Sequence, residues 1–196
     1  MTDTPTPILV VVDMQRDFME EGALPTVEPS SMVPGINEAM AAARGRGFTI
    51  VATRDWHPPD HESFSRNGGI WPDHCVAGSP GAEFHPGLVF PEGVVVVSKG
   101  SERAGLGYSP FENPIMVELV RRHPGVTVYV TGVALEYCVR ATCLDSLGQG
   151  ARPVAVLPLI RAVSHDPAVV RSVEEELTTA GVVCVPQVPP ELRKAA

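Results

Sequence analysis

Short apolar runs rich in β-branched residues recur along this chain, with helical patterns between most of them. Six runs have this character, and they cover residues 8–12, 48–53, 94–98, 126–131, 154–159 and 182–185. Their residues are apolar throughout rather than alternately apolar and polar, which is typical of strands covered on both faces of a parallel sheet. The sequence therefore predicts a doubly wound α/β fold, a three-layer sandwich with a mostly parallel central sheet of about six strands.

Two of the intervening helices have recognisable ends. One helical pattern covers residues 33–43 and is followed by two glycines, which favour a stop. Another begins with Asp166 and Pro167, residue types that suit an N-cap and a first helical position, and Gly181 predicts its end. The alternation of strands and helices implies right-handed crossovers between parallel strands.

The connection between the second and third runs does not follow this alternation of strands and helices. It spans residues 54–93, contains four histidines and is rich in proline. A loop of this length in a compact domain is usually functional. No internal repeat and no linker interrupts residues 1–196, so we expect one domain that carries this long loop.

The charge balance limits the classes of partner. The formal net charge is −8, and no basic stripe is present that would neutralise phosphates. We therefore expect a small-molecule substrate, and neither nucleic acid nor a membrane, as the partner. No apolar stretch approaches the roughly 18 to 20 residues of a membrane span, and the run near the start is too short for a signal peptide. These features predict a soluble cytoplasmic protein, and they leave both a monomer and a symmetric homodimer open.

Four reactive side chains fall at equivalent places in this pattern. Asp13, Asp55 and Lys99 follow the first three predicted strands, and Cys138 lies at the start of the helix after the fourth. Each residue alone has an ordinary explanation as a turn residue, a solvated charge or core filler. Because ligand sites in open α/β sheets lie beyond the carboxyl ends of the strands, we expect all four to meet in one crevice.

The chemistry of a thiol explains why these residue types belong together. A cysteine with an ordinary pKa of about 8.5 is mostly protonated at neutral pH, so a nucleophilic cysteine requires a base, a nearby cation or a helix N terminus. Asp13, Lys99 and the helix that begins near Cys138 supply these three. Cys143 lies on another helix face and Cys184 lies within a strand, which makes Cys138 the predicted nucleophile. On this basis we expect Cys138 to ionise well below the ordinary pKa of about 8.5.

The long loop predicts a metal site. Asp55 and His57 are two residues apart in an extended segment and point to the same side, and His74 completes a set of two imidazoles and one carboxylate. Such a set leaves coordination positions open for water or substrate. It suits one divalent transition metal ion, zinc first, with iron or manganese as alternatives. The other interpretation is that histidines in a proline-rich loop are simply exposed. His61 remains either a fourth ligand or a residue that supports the ligands.

Five segments carry a resemblance to a known family. The sequence resembles the nicotinamidases, or pyrazinamidases, of the isochorismatase-like cysteine hydrolase superfamily from Val10 to about Val185. The segments are VVDMQRDF, TRDWHPPDHESF, WPDHCVAGSPGAEFHP, VSKG and TGVALEYCVRAT, which surround Asp13, Asp55, His74, Lys99 and Cys138 in that order.

The resemblance implies roles for individual residues. The family triad falls on Asp13, Lys99 and Cys138, and its metal ligands fall on Asp55, His57 and His74. In some members a further histidine that matches His61 reaches the metal. The aromatic residues that enclose the pyridine ring match Phe18, Trp71 and Tyr108. An oxyanion hole would use the backbone N–H groups of Ala134 and Cys138, next to a bond matching Val133–Ala134 that is cis in the family.

The resemblance also implies a reaction. A thioester on Cys138 would convert nicotinamide, or the related pyrazinamide, to the acid and ammonia, as a step of NAD salvage. Another amidohydrolase of the superfamily, acting on a carbamoyl or ureido compound, remains as an alternative. A metal-free isochorismatase is disfavoured by the presence of Asp55, His57 and His74 and because Cys138 would then have no covalent role. A non-catalytic metal-binding protein is the alternative from another class. The segment 100–110 is longer than in some relatives, which leaves the exact amide preference open.

Overall fold

The computed structural model describes residues 5–194, and a six-stranded sheet forms its centre. All neighbouring strands run parallel, in the order β3-β2-β1-β4-β5-β6. The strands are β1 Ile8–Val12, β2 Thr49–Asp55, β3 Val95–Lys99, β4 Thr127–Val133, β5 Arg152–Arg161 and β6 Val183–Val185. The prediction of a doubly wound α/β fold is confirmed, and the order of the strands reverses between β1 and β4.

Four helices cover the sheet. They are α1 Val33–Gly45, α2 Pro114–Arg121, α3 Arg140–Gly148 and α4 Pro167–Ala180. As predicted, the Asp166 side chain caps α4 by accepting a hydrogen bond from the N–H of Ala168, and Gly181 ends the helix with a φ of 106°. A π-helical turn, Leu135–Val139, connects β4 to α3.

Side chains of β1 show why the strands are apolar throughout. Leu9 and Val11 pack in one buried cluster with Ile36 and Met40 of α1. The alternate residues of β1, Ile8, Val10 and Val12, pack in a second cluster with residues of the other three helices, among them Met116, Cys143 and Leu177. Both faces of the central strands are therefore covered, and neither face can carry the polar residues of a solvated sheet.

Four strands, β2 to β5, extend further at their carboxyl ends than the sequence pattern indicates. The paired registers run to Asp55 on β2 and to Lys99 on β3, so each of these charged residues is the last residue of its strand rather than the first residue of a loop. The long connection accordingly begins after residue 55. No helix within residues 5–194 is long and apolar enough to cross a membrane.

Candidate active site

The four predicted reactive residues lie together at the carboxyl ends of the strands. Asp13 follows β1, Asp55 ends β2, Lys99 ends β3, and Cys138 lies in the helical turn after β4. β1 and β4 are the strands between which the sheet order reverses, the place where ligand sites of open α/β sheets form. All four side chains are buried, and Cys138 is the most accessible at 5% exposed.

Lys99 joins the other three. Its Nζ atom donates to the Asp55 carboxylate, to the carbonyl of Gly107 at 3.0 Å and to Cys138 Sγ at 3.2 Å. Oδ2 of Asp13 forms an ion pair with the same Nζ at 2.8 Å. An ammonium group has three N–H donors, so these four contacts share them. Lys99 is the only partner of Asp13 Oδ2 among the described residues.

Asp13 is held so that one oxygen stays available. Thr53 Oγ1 donates to its Oδ1 at 2.6 Å, while Oδ2 contacts only the Lys99 ammonium and keeps a lone pair free. Carboxylate oxygens of Asp13 and Asp55 and the sulfur of Cys138 all lie within 4.8 Å of one another. Burial raises the pKa of the Asp13 carboxyl, and the nearby Lys99 only partly opposes this. Asp13 is therefore suited to accept a proton from the thiol.

The surroundings of Cys138 favour the protonated form of its thiol. Burial raises its pKa well above the ordinary value, Lys99 lowers it by less, and the Asp13 and Asp55 carboxylates raise it further. The expectation of a depressed pKa is wrong for this state. Sequence reasoning counted the positive charge of Lys99, but that charge is shared with two carboxylates, which hold the pKa of Lys99 well above its ordinary value despite its burial. The thiol must consequently lose its proton during the reaction rather than before it.

The predicted metal ligands also form one group. Asp55, His57 and His74 are all buried, and one ligand atom from each lies within 4.8 Å of the others. Nδ1 of His57 donates to the carbonyl of Gly100 at 2.9 Å, and Nδ1 of His74 donates to the carbonyl of Pro72 at 2.8 Å. A carbonyl can only accept, so each Nδ1 carries a proton and each Nε2 is the nitrogen left to face a cation, as in a metal ligand. Nε2 of His57 lies 3.5 Å from Oδ2 of Asp55.

Charge and burial favour the protonation states that bind a cation. Burial lowers the pKa of His74, which keeps the ring neutral. Burial alone would raise the pKa of Asp55, but Lys99 and His57 outweigh it, so the pKa is lowered and the carboxylate stays ionised. Two imidazoles and a carboxylate are a donor set that divalent transition metals accept.

His61 lies beside this group under different constraints. Its ring centre is 4.2 Å from that of His57, and its buried Nε2 has no hydrogen-bond partner. Its Nδ1 contacts the Ser63 hydroxyl at 2.7 Å. The backbone N–H of Ser63 also donates to this Nδ1 at 3.3 Å. An N–H can only donate, so Nδ1 is an acceptor here and the proton of a neutral ring lies on Nε2. His61 would fit a fourth ligand only after this tautomer changes, with Nδ1 then donating to the Ser63 hydroxyl.

A buried aromatic residue that sequence reasoning missed supports the histidines. The Phe64 ring is fully buried, and its centre lies 5.6 to 5.7 Å from those of His57, His61 and His74. It supplies the apolar wall against which the three imidazoles pack. Its position three residues after His61 in the loop carried no periodic signal that would have distinguished it from other aromatic residues.

The three predicted ring-binding residues fall into two places. Phe18 is buried with its ring centre 5.8 Å from that of His74, on the metal side of the site. Trp71 Nε1 donates to the Tyr108 hydroxyl at 3.1 Å. Tyr137, which sequence reasoning missed although it precedes Cys138, lies edge-on to Trp71 at 4.9 Å and 5.4 Å from Tyr108. These three half-buried rings form an aromatic wall near the thiol.

The predicted oxyanion donors lie around the same turn. Ala134 is buried between β4 and the π-helical turn, and its carbonyl accepts from the N–H groups of Tyr137 and Val139 at 3.1 Å each. Cys138 lies within that turn. The Val133–Ala134 peptide bond is cis, as the resemblance implied.

Comparisons with known proteins agree with this geometry. Residues 7–167 match the model of the isochorismatase domain. The chain is 36% identical to the nicotinamidase/pyrazinamidase of Mycobacterium tuberculosis, over 90% of this chain and 97% of the relative. It is 32% identical to the nicotinamidase of Saccharomyces cerevisiae, over 86% and 94% of the two chains. The crystal structure of the pyrazinamidase of Pyrococcus horikoshii in complex with zinc superimposes with a TM-score of 0.86 at 43% identity, covering 94% of this chain and all of the other. With its matching sheet and its clustered strand-end residues, the chain belongs to the isochorismatase family of hydrolases.

Proposed function

We propose that this protein is an amidohydrolase that converts nicotinamide to nicotinic acid and ammonia through a thioester on Cys138. The observation that carries the proposal is the position of Lys99, which contacts Asp13, Asp55 and Cys138 at once. One buried cation thereby joins a thiol, a base and a metal-binding carboxylate. The similarity to nicotinamidases that covers nearly the whole chain supports this substrate above other amides.

The attack begins with the thiol proton. Asp13 Oδ2 has a free lone pair and takes the proton of Cys138, whose sulfur then forms a bond to the carboxamide carbon. Lys99 donates to the sulfur and stabilises the negative charge that develops on it. The backbone N–H groups of Ala134 and Cys138 would donate to the oxyanion of the tetrahedral intermediate.

Ammonia release uses the proton taken from the thiol, and hydrolysis uses one taken from water. Asp13 returns the first proton to the amide nitrogen, the C–N bond breaks, and ammonia leaves. Asp13, again ionised, then takes a proton from a water molecule that attacks the thioester carbon. It passes this proton to the Cys138 sulfur as the C–S bond breaks, so that nicotinic acid and the free thiol form. The acid would serve NAD salvage, as the resemblance implies.

Asp55, His57 and His74 would hold a divalent metal ion, with His61 as a further ligand. When bound, the ion supplies a Lewis-acid position that the pyridine nitrogen can occupy. The Nδ1 protons of His57 and His74, which leave Nε2 to face a cation, fit this group. The buried Nε2 of His61 has no other partner and would fit it once the proton of that ring moves to Nδ1. Zinc is the first choice, because the similar pyrazinamidase is described in complex with zinc, and iron or manganese suit the same donors.

Aromatic residues would orient the ring between the metal and the thiol. Phe18 lies beside His74, and Trp71 and Tyr108 lie with Tyr137 on the thiol side. Flat apolar surfaces on both sides favour a planar heteroaromatic substrate such as nicotinamide or pyrazinamide. An amidohydrolase for carbamoyl or ureido compounds would not need a metal-binding group beside its thiol.

The test is ammonia release from a panel of amides by the purified, reduced and zinc-loaded protein. We expect turnover of nicotinamide and pyrazinamide that falls after chelation and returns with added zinc. Faster turnover of ureido or carbamoyl compounds, unchanged by chelation, would contradict the proposed substrate. Binding of zinc with no turnover of any amide would favour a non-catalytic metal-binding protein.

A further inference from the structure

Gln15 is a fully buried amide that none of the steps above uses. Its Oε1 accepts a hydrogen bond from the backbone N–H of Asp55 at 2.7 Å. Its Nε2 donates to the carbonyl of Asp55 at 2.8 Å and to the carbonyl of Ala82 at 2.9 Å. The Gln15 side chain therefore hydrogen-bonds to the peptide groups on both sides of Asp55. It also connects them to Ala82 in the long loop.

The end of β1 explains why an amide is needed at this place. The pairing of β1 with β2 runs to Val11 opposite Ala52, and the N–H of Asp13 still bonds to the carbonyl of Thr53 at 3.2 Å. Asp13 then turns away with a left-handed φ of 49°. Asp55 is the next residue of β2 whose N–H and carbonyl face that side, and buried backbone groups require partners. The Gln15 amide offers a donor and an acceptor as a peptide group does, and it continues the ladder by one position.

The hydrogen bonds of Gln15 also connect the thiol side of the site, which contains Asp13, to the proposed metal-binding side, which contains Asp55. Gln15 lies two residues after Asp13, and its own segment pairs with residues 83–85 through Arg16 N–H to Glu83 O at 2.9 Å and His85 N–H to Met14 O at 2.8 Å. Asp55 serves both Lys99 and the proposed metal ion. A small rotation of its backbone would redirect the carboxylate away from one of them.

We propose that Gln15 is a positioning residue that fixes the Asp55 backbone so that the carboxylate can bind the metal ion. This inference rests on the proposed function only in treating Asp55 as a metal ligand. Contacts of this kind to ligating groups typically change metal affinity by about 10- to 100-fold. The effect is therefore measured on metal binding, which does not depend on turnover.

Asn37 provides a matched control. Its Nδ2 donates to the carbonyl of Gly87 at 2.8 Å and its Oδ1 accepts from the N–H of Val89 at 2.9 Å, so it also brackets a loop with a side-chain amide. It lies half-buried on α1 and contacts no proposed metal ligand. Asn37→Asp matches Gln15→Glu in charge, and Asn37→Leu matches Gln15→Met in the loss of both hydrogen bonds.

The experiment measures zinc affinity by competition with a chromogenic chelator, together with the visible spectrum of the cobalt-substituted protein. We expect both Gln15 variants to bind zinc about 10- to 100-fold more weakly than the wild type, with an altered cobalt spectrum, while both Asn37 variants match the wild type.

Zinc affinity and cobalt spectrum unchanged in Gln15→Glu would overturn the inference. So would a failure of both Gln15 variants to fold at any zinc concentration, because Gln15 would then be a general structural residue. A wild-type protein that binds zinc but does not hydrolyse nicotinamide would overturn the proposed function alone.

Discussion

Lys99 and Asp55 face each other at the last paired position of β3 and β2, and the Lys99 ammonium donates to the Asp55 carboxylate. Their meeting follows from strand register rather than from a loop conformation, which makes it a rigid feature of the sheet. Because Lys99 also contacts Asp13 and Cys138, the thiol chemistry and the proposed metal site share one buried charge.

Removal of that charge should destabilise the fold. In Lys99→Met the Asp13 and Asp55 carboxylates lose their buried cation, and breaking a buried ion pair from one side typically costs about 3–5 kcal/mol. Urea denaturation should show this loss in the free energy of unfolding. The control is Lys194→Met, whose side chain is exposed, and it should unfold like the wild type. A Lys99→Met protein as stable as the wild type would contradict the buried network.

Asp13 should matter to catalysis but little to metal binding. Asp13→Asn keeps the size of the side chain and removes the base, so we expect kcat for nicotinamide to fall about 10²- to 10⁴-fold. Zinc content, measured by atomic absorption, should stay near that of the wild type because Asp13 is not in the ligand group. Glu118→Gln, an exposed carboxylate paired with Arg122 at 2.8 Å, is the control for loss of a charge. Full activity of Asp13→Asn would exclude Asp13 as the base.

The pH dependence of thiol labelling follows from the raised pKa of Cys138. Burial disfavours the thiolate, so in substrate-free protein the thiol is protonated at neutral pH and ionises only as the pH rises past its ordinary pKa of about 8.5. Iodoacetamide labelling of Cys138, followed by peptide mass spectrometry, should therefore keep increasing with pH above that value. A labelling rate that reaches its plateau below about pH 8.5 would mean that Lys99 outweighs burial.

The raised pKa of Cys138 also determines how the stability of the fold should change with pH. The folded state holds the Cys138 proton more tightly than the unfolded chain does. This contribution is present in full below the unfolded pKa of about 8.5 and is lost as the pH rises through the folded value. Compared with Cys138→Ala, the wild type should lose more stability on the alkaline side, as thermal melts across that range would detect. A difference in stability that does not vary with pH would argue against the raised pKa.

The zinc content of single His→Ala variants should distinguish the metal ligands from the other histidines. His57→Ala and His74→Ala each remove one of three proposed ligands, and we expect zinc content after dialysis to fall to a small fraction of the wild-type value. His61→Ala should lower it less, because the Ser63 backbone N–H donates to Nδ1 of His61 and so favours the tautomer whose Nε2 is protonated. His123→Ala, at an exposed position outside the group, is the control. Equal zinc content in all four variants would place the metal elsewhere.

Trp71 should act on substrate binding. Trp71→Phe keeps an aromatic surface but removes the N–H that donates to the Tyr108 hydroxyl. A hydrogen bond of this type contributes about 0.5–1.5 kcal/mol, so we expect KM for nicotinamide to rise about two- to tenfold with kcat little changed. Steady-state kinetics would show this, with Trp56→Phe, outside the aromatic wall, as the control. A fall in kcat at constant KM would assign Trp71 to the chemical step.

The sheet and the convergence of the reactive residues were predictable from sequence because both follow from one pattern. Apolar strands with no polar alternation indicate a sheet that is covered on both faces, and the ends of parallel strands meet at one edge. The same pattern predicts that four residues meet in one crevice, namely Asp13, Asp55, Lys99 and Cys138. It placed the strand ends slightly early, because charged residues such as Asp55 and Lys99 continue the ladder when they pair with each other.

The remaining features depend on contacts that no local pattern carries. The pKa of Cys138 reflects its burial and two carboxylates from distant strands, so the sign of its shift was not accessible from residue types. Phe64 and Tyr137 are aromatic residues without periodic neighbours, and their contacts with the histidines and with Trp71 arise from the path of the long loop. The role of Gln15 becomes visible only in the structure, where β1 ends before Asp55 and the side of Asp55 that faces away from β3 has no strand partner.

The central claim is that Cys138 forms the acyl intermediate, and rapid acid quenching during nicotinamide turnover tests it most directly. Intact and peptide mass spectrometry of the quenched, zinc-loaded wild type should find a nicotinoyl group on Cys138, and Cys138→Ala should show neither the adduct nor ammonia release. Substantial ammonia release by Cys138→Ala, with no adduct on the wild type, would contradict the account and point instead to direct attack by water.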